Sequence, residues 1–439
     1  MQQDSGQNNH QTNSQPAQET ANSGLTRMTG LLTRHVFHHS GTELMQTHPE
    51  LKYAMLVMDI ANFKSVNVFC DRKKGDEMLL YISDYLKGYW NDLTLVSHFR
   101  ADTFALLRPF EDKQELIDTA LALHAYVDAF PLPFKVLPSI GICIRPTPDT
   151  PANNMCDYAT MALKEIKGKF YAKYNFFDER MFQDLLQEKQ IENEILHALE
   201  SNQLRPYIQP KVDMRTKEII GGEALVRWIH PVQGVISPGQ FIPVLEKNGL
   251  IINVDFHVWE QIFRWLGERV KVGKPVVPIS INISRMHAYD NTFQEKLIGL
   301  SKMYEVPASL ILLELTESAF LSDANSVYQN MVKLKEHGFT LSMDDFGTGY
   351  STMTMLKDQP VDEVKVDKGF IDNIENENVQ IILDNVISML RSLKKTIMVE
   401  GVESASQQKY LLERNCNFAQ GFLYYKPMPI TDFDALLDP

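Results

Sequence analysis

The chain has 439 residues, enough for two domains with full cores, and its 44% hydrophobic and 23% charged content is that of ordinary globular protein. A formal net charge of -13 excludes a broad surface for DNA, RNA or anionic membrane, because neutralising phosphates takes a basic face. Cys70, Cys143, Cys156 and Cys416 have no paired spacing for zinc or a disulfide framework and read as thiols of a reducing compartment.

Residues 1–27 are poor in large apolar side chains and rich in Gln, Asn, Ser and Thr, the composition of a disordered tail. No secretory apolar stretch opens the chain, and nowhere does it offer the ~20 uninterrupted apolar residues of a membrane span, so a cytoplasmic location is expected. A first domain is expected over 28–177. Strands are predicted at Ala54–Asp59, Thr94–Ser97, Thr103–Arg108 and Ser139–Arg145, with helices at Asp76–Lys87, Lys113–Phe130 and Asp157–Lys167. This interleaving suggests an α/β layer fold.

Phe182, Leu185, Leu186, Ile191, Ile195, Leu196 and Leu199 recur at roughly helical spacing among charges, which predicts a linker helix over 178–195 running on towards Asn202. Beyond it, over 196–437, short apolar runs alternate with helix patterns. Strands are predicted at Arg205–Gln209, Gly222–Arg227, Val277–Ile283, Leu310–Leu315, Thr340–Met343, Glu363–Val366, Ile397–Val399 and Asn417–Ala419. Eight such units have the rhythm of a (β/α)8 barrel of the TIM type. One helix start is marked by Ser237 as a cap, Pro238 in the first turn and Gly249 after the last.

Polar residues fall at the C-terminal ends of those strands. Glu223 lies within the second, Asn282 closes the third and Glu314 the fourth. Asp344 and Asp345 follow the fifth, Lys365 and Asp367 mark the sixth, Glu400 the seventh and Gln420 the eighth. In a barrel these ends meet at one mouth, where sites of this fold are built. A single acid at a strand end is usually a cap or a surface ion pair, but a set recurring at consecutive ends is not explained that way. Asp367 and Glu403 suit structural partners better than ligands.

Carboxylates and an amide oxygen without His or Cys make a hard-oxygen site suited to Mg2+ or Mn2+. So many acids would repel unless cations lay among them. Adjacent strand residues face opposite ways, so the doublet Asp344-Asp345 requires a turning chain and can reach two ions. Two ions about 3.5 to 4 Å apart are the usual arrangement for phosphodiester hydrolysis. Lys365 suits the developing charge and Glu400 a general base. The run Phe346-Gly347-Thr348-Gly349 supplies a loop of little bulk.

These residues sit in segments that resemble the EAL phosphodiesterase family: Tyr207-Ile-Gln-Pro210, Glu223-Ala-Leu-Val-Arg-Trp228, Ser280-Ile-Asn-Ile-Ser284, Glu314-Leu-Thr-Glu317, Asp344-Asp-Phe-Gly-Thr-Gly-Tyr-Ser351, Val364-Lys-Val-Asp367, Val399-Glu-Gly-Val-Glu403 and Ala419-Gln-Gly421. The resemblance implies a barrel with an antiparallel first strand and hydrolysis of cyclic di-GMP to linear 5'-pGpG with two Mg2+ or Mn2+ ions. By position, Glu223, Asn282, Glu314 and Asp344 look like ligands of the first metal and Asp345 of the second. Glu400 looks like the acid shared with catalysis, and Lys365 like the catalytic lysine. Gln209, Arg227 and Gln420 match positions that contact substrate or support the site, and Glu317, with Asp367, matches loop support. A homodimer through this domain is the expected assembly.

The first domain resembles the GGDEF diguanylate cyclase domain. Asp59-Ile60 fits the metal-binding start, Asn67 and Asp76 the guanine-reading positions, Lys167 a phosphate-binding lysine and Ser139-Ile-Gly-Ile142 a late strand. The signature hairpin reads Arg100-Ala-Asp-Thr-Phe104, with Arg100 and Ala101 in place of two glycines and Thr103 in place of a catalytic acid. Cyclization is therefore expected to be lost. Tyr89 to Thr94 holds no Arg-x-x-Asp product site. Asp59, Asn67, Asp76 and Asp102 keep GTP binding without turnover as an expectation, against a purely structural domain. The alternative for the whole chain is a cyclic di-GMP receptor that signals through the linker helix without hydrolysis.

Overall fold

The structure, a computed structural model, describes residues 24–289, 292–316, 324–347, 356 and 359–438. The chain divides into two compact units, Met1–Gln187 and Glu188–Pro439, with the division inside the helix Glu179–Glu200.

The first unit is built on a five-stranded sheet. Its strands are β1 (Tyr53–Ile60), β2 (Leu95–Arg100), β3 (Thr103–Pro109), β4 (Pro138–Ile144) and β5 (Tyr174–Phe176), in the order β2-β3-β1-β4-β5. β1 pairs antiparallel with both β3 and β4. Flanked on both edges and covered on both faces, it needs the nearly continuous apolar run Tyr-Ala-Met-Leu-Val-Met. Asp71 and Asp112 cap the helices Arg72–Lys87 and Lys113–Asp128 by accepting from the backbone N–H of Lys74 and Glu115 at 2.8 and 3.0 Å.

Three findings here differ from the expectations. Residues 24–27, assigned by composition to the tail, are tied down: Thr26 N donates to Leu31 O, and Thr33 N to Gly24 O, both at 2.8 Å. Residues 1–23 lie outside the described residues. A helix at Arg34–Thr47 went unpredicted, because only Phe37, Gly41 and Met45 of its histidine-rich stretch are buried. A second short helix, Phe63–Phe69, precedes the long one.

The second unit is a closed barrel. Its wall consists of β6 (Leu204–Asp213), β7 (Ile219–His230), β9 (Ile279–Asn282), β10 (Ile311–Thr316), β11 (Thr340–Phe346), β12 (Glu363–Val366), β13 (Thr396–Val399) and β14 (Phe418–Ala419). Two short strands, β8 (Gly234–Ile236) on β7 and β15 (Met428–Pro429) on β6, flank it. β6 runs antiparallel to both its neighbours, β7 and β14, while the other wall strands are parallel. β9, β10 and β11 are almost wholly buried, as strands covered on both faces must be.

In the helix Glu179–Glu200 only part of the predicted stripe is buried. Ile191 and Ile195 join the barrel core and Leu199 packs against it, but Leu186 and Leu196 are half exposed. The helix Pro238–Asn248 carries Pro238 in its first turn and is followed by Gly249 at φ +79°, but Ser237, expected to cap it, makes no side-chain cap bond. Cys143, Cys156 and Cys416 are buried and Cys70 partly so, all four free. No described helix is long and apolar enough to cross a membrane.

Candidate active site

The barrel mouth gathers its charges around one buried ammonium. Lys365 on β12 is 1% exposed, and its Nζ lies 3.2 Å from Glu223 Oε2, 2.7 Å from Glu314 Oε2, 3.1 Å from Asp344 Oδ1 and 2.6 Å from Glu400 Oε1. These carboxylates come from β7, β10, the end of β11 and the residue after β13. Barrel closure thus brings five of the residues at predicted strand ends into mutual contact.

Burial raises the pKa of Glu223, Asp344 and Asp345 above the usual carboxylate range, in Glu223 with help from the Glu314 charge. Glu400 is pushed up to about 8, first by burial, against the pull of Lys365. Burial acts upward on Glu314 too, but Lys211 and Lys365 together outweigh it and hold that carboxyl at about 2. Burial likewise disfavours charge on Lys365, yet its four carboxylate neighbours keep its pKa well above the ordinary lysine value.

The doublet is a turn, as two inward carboxylates require. Asp345 has φ +54°, its N–H donates to Asp344 Oδ1 at 2.9 Å, and the register of β11 on β12 shifts between Met343 and Phe346. Asn282 Nδ2 donates to Glu223 Oε1 at 3.3 Å, while its backbone oxygen accepts from Trp259 Nε1 at 3.1 Å.

Gln420 Nε2 reaches Glu223 Oε2 at 2.7 Å and Gln209 Oε1 at 3.0 Å, and Gln209 Nε2 donates to Tyr425 O at 3.1 Å. Gly421 after it is forced: a Cβ there would lie 2.2 Å from Val402 O. Arg227 instead donates to its own strand's Val226 O at 2.9 Å and stands over the Tyr207 ring. Asp367 caps the turn Lys368–Phe370 through Gly369 N at 2.8 Å, and Glu403 pairs with Lys368 at 2.8 Å on the surface. Glu317, Thr348 and Gly349 lie outside the described residues.

Sequence reasoning missed a second polar layer below the mouth. Lys211, 3% exposed, donates to Ser280 Oγ at 2.6 Å and Glu314 Oε1 at 2.7 Å, and lies 3.5 Å from Glu363 Oε1. Ser342 Oγ donates to Glu363 Oε1 at 3.0 Å. The signal was strand alternation. Ser280, Ser342 and Glu363 each stand two residues before a mouth residue on the same strand, and Lys211 two after Gln209 on the reversed one.

The mouth suits divalent cations. Glu223, Glu314 and Asp344 each place an oxygen within 4.8 Å of one another, and Asp344, Asp345 and Glu400 form a second such group. Two buried ammonium groups leave these carboxylates under-compensated, and the buried Gln420 Oε1 has no hydrogen-bond partner among the described residues.

In the first unit, Asp59 pairs with Lys167 at 2.6 Å and stands opposite Thr103 in the β1–β3 register. Asp102 has its pKa raised by burial and then by the Asp59 charge. Asn67 lies against Gly75, next to Asp76: a Cβ at Gly75 would fall 2.1 Å from Asn67 Oδ1. Ala101, in the tight β2–β3 turn, has φ +48°.

Residues 192–427 match the EAL domain family and residues 25–170 the diguanylate cyclase GGDEF domain family. The chain is 30% identical over 386 residues to the bifunctional diguanylate cyclase/cyclic di-GMP phosphodiesterase MucR of Pseudomonas aeruginosa, covering 86% of this chain and 56% of that protein. It is 28% identical over 389 residues to the cyclic di-GMP phosphodiesterase NbdA of the same organism, covering 88% and 50%. The chain thus spans about half the length of these relatives.

Among solved structures, a PaMucR phosphodiesterase in complex with c-di-GMP is 35% identical, covers 56% of this chain and 99% of its own, and superposes with a TM-score of 0.53. The S helix-GGDEF-EAL portion of Vibrio cholerae LapD, bound to c-di-GMP, covers 92% of this chain and 97% of its own at 17% identity and a TM-score of 0.52, a likeness of fold alone. With more than half its length matched by that domain, the chain belongs to the EAL family, a metal-dependent one, and carries a GGDEF domain in tandem ahead of it.

Proposed function

We propose that the barrel hydrolyses cyclic di-GMP to linear 5'-pGpG, with Mg2+ or Mn2+ held by Glu223, Asn282, Glu314 and Asp344 on one side and Asp344, Asp345 and Glu400 on the other. The observation that carries this reading is the buried Lys365 ammonium within 3.2 Å of four carboxylates from four elements. Divalent cations seated there would neutralise phosphodiester charge and acidify a water. Glu400, 2.6 Å from Lys365 and with its side chain 20% exposed, stands at the open side of the mouth, where it could take the proton of such a water. The water oxygen forms a bond to phosphorus as the bond to the ribose 3'-oxygen breaks, leaving a 5'-phosphate and a 3'-hydroxyl. Lys365, locked by its contacts, offers a fixed positive charge to the oxygens that gain charge in that step. Gln209, Gln420 and Arg227 line or support the substrate side.

Support for the substrate comes from the 35% identity to the PaMucR phosphodiesterase solved with c-di-GMP. Incubation of the protein with cyclic di-GMP and Mg2+ or Mn2+ should yield the linear dinucleotide. Absence of product at high enzyme concentration, with binding intact, overturns hydrolysis in favour of a receptor.

The GGDEF domain we assign as a nucleotide-binding regulator that does not cyclise. Arg100, Ala101 and Thr103 in the hairpin argue against turnover, and the retained Asp59 and Asp102, with Lys167 paired to Asp59 at 2.6 Å, support a retained polyphosphate contact. Conversion of GTP to cyclic di-GMP would refute the first half. A GTP titration that leaves KM and kcat unchanged would refute the second.

A further inference from the structure

The turn that follows β12 leans on both neighbouring strand ends. Val366 on β12 pairs with Phe346 on β11 and with Val399 on β13, and Glu400 N donates to Val366 O at 3.0 Å. The chain then turns through Lys368–Phe370, with Phe370 N donating to Asp367 O at 3.0 Å. On one side the Phe370 ring takes the space of a side chain at Gly347, where a Cβ would fall 2.1 Å from its Cε2. The same ring stacks on Phe346, with centroids 6.4 Å apart. On the other side the Lys368 stem lies against Gly401, where a Cβ would fall 2.7 Å from Lys368 Cβ. The turn cannot retreat, because Ile371 after it is fully buried and its carbonyl accepts from Gln407 Nε2 at 3.2 Å.

Gly347 stands two residues after Asp345, and Gly401 directly follows Glu400. Asp345 at φ +54° and Gly347 at φ +98° bracket the buried Phe346. A left-handed aspartate relaxes towards other backbone regions unless its surroundings hold it. We infer that Phe370 is a positioning residue for the second cation group: the turn Lys368–Phe370 is wedged between the segments bearing Asp345 and Glu400 and fixes their spacing. The inference rests on the two-cation reading above. Asp344, Asp345 and Glu400 place oxygens within 4.8 Å of one another, and a small six-coordinate ion tolerates little departure from such a placement. Glu223 and Glu314 stand within β7 and β10 and owe their places to the strand ladder, not to this turn.

The test is calorimetric titration of the full chain with Mn2+, without substrate. The parent should take two ions. In Phe370→Ala the affinity for one of them should fall by about tenfold, the lower end of what the partners of metal ligands contribute, while the other holds. Phe370→Leu, which shortens the side chain against Gly347 without emptying its place, should shift the same ion in the same direction and by less. Ile387→Ala, a core truncation in the following helix Glu377–Ser392, should leave both affinities as they are. Two unchanged affinities in whichever Phe370 variant folds, or an equal fall in Ile387→Ala, overturn the inference and leave the proposed hydrolysis standing. A parent chain that takes no second Mn2+ overturns the inference together with the two-cation reading.

Discussion

Replacing Glu400 by Gln probes the electrostatics of the mouth directly. The Glu400 carboxyl is held at about 8 against an ordinary 4.5, first because burial disfavours its charge, with Lys365 opposing. A folded-state value above the unfolded one means the native chain keeps a proton that the unfolded chain has released. In the absence of cations, stability therefore falls as pH rises through that window. The slope is about 1.4 kcal/mol per pH unit, and Gln, neutral throughout, is spared it. In EDTA the variant should gain on the parent from near zero around pH 5 to about 4 kcal/mol around pH 8. For a unit of this size each kcal/mol moves Tm by about 2 to 4 °C, so the gap should approach 10 °C. With saturating Mg2+ the order should invert, because the charged Glu400 then binds a cation that Gln holds poorly. Scanning fluorimetry of both full-length proteins across this range, with EDTA and with Mg2+, reads all of this. A Tm gap in EDTA that stays flat from pH 5 to 8 would refute the reasoning.

Asp71, at φ +124° in a backbone region that suits glycine, caps the helix Arg72–Lys87. Asp71→Gly should relieve about 1 to 3 kcal/mol of strain for a few tenths lost at the cap, and so raise the urea midpoint of the first unit. Arg269, buried at 2% exposure, binds Pro275 O at 2.9 Å together with Asp434 and Asp438 on and after the C-terminal helix Ile430–Leu437. Arg269→Ala should cost about 3 kcal/mol and make the C-terminal helix the first site of limited proteolysis; an unchanged cleavage pattern would count against this clamp. Gly421→Ala would drive a Cβ to 2.2 Å from Val402 O, which displaces Gln420 next to it. It should reduce kcat/KM more than tenfold for a stability loss of only about 1 to 3 kcal/mol, and a parallel loss of both would refute the positioning role.

The strand ends were legible because a charged residue closing an apolar strand stands out against the period of two; Glu314 after Ile-Leu-Leu and Glu400 after Thr-Ile-Met-Val are such cases. The turn at Asp345 was legible for a related reason, since two adjacent acids cannot both face inward on a straight strand. Lys211 was lost because the predicted first strand stopped at Gln209, whereas β6 continues to Asp213 and carries Lys211 inward. Glu363 was predicted only as the first residue of a strand, and it is barrel closure that buries it against a lysine from another strand. The linker stripe erred in the opposite direction. Leu186 and Leu196 fit a helical period but face away from the core that takes Ile191 and Ile195. Periodicity marks what a helix is able to bury, and tertiary packing decides what it does bury.

The reversal of β6 has a mechanical corollary. Leu204 lies beside Trp228 beyond the mouth and Val212 beside Ile219 near the foot of β7, so β6 descends from the rim to the floor. The helix Glu179–Glu200 therefore hands the chain to the barrel at its open end, across only the turn 201–203. A first strand parallel to the others would have brought that helix in at the opposite pole, far from the mouth. Here the stave that follows the helix is the one bearing Gln209, which holds Gln420, and Lys211, which holds Glu314, so a rotation of the helix about its axis would reach the mouth first through those two contacts.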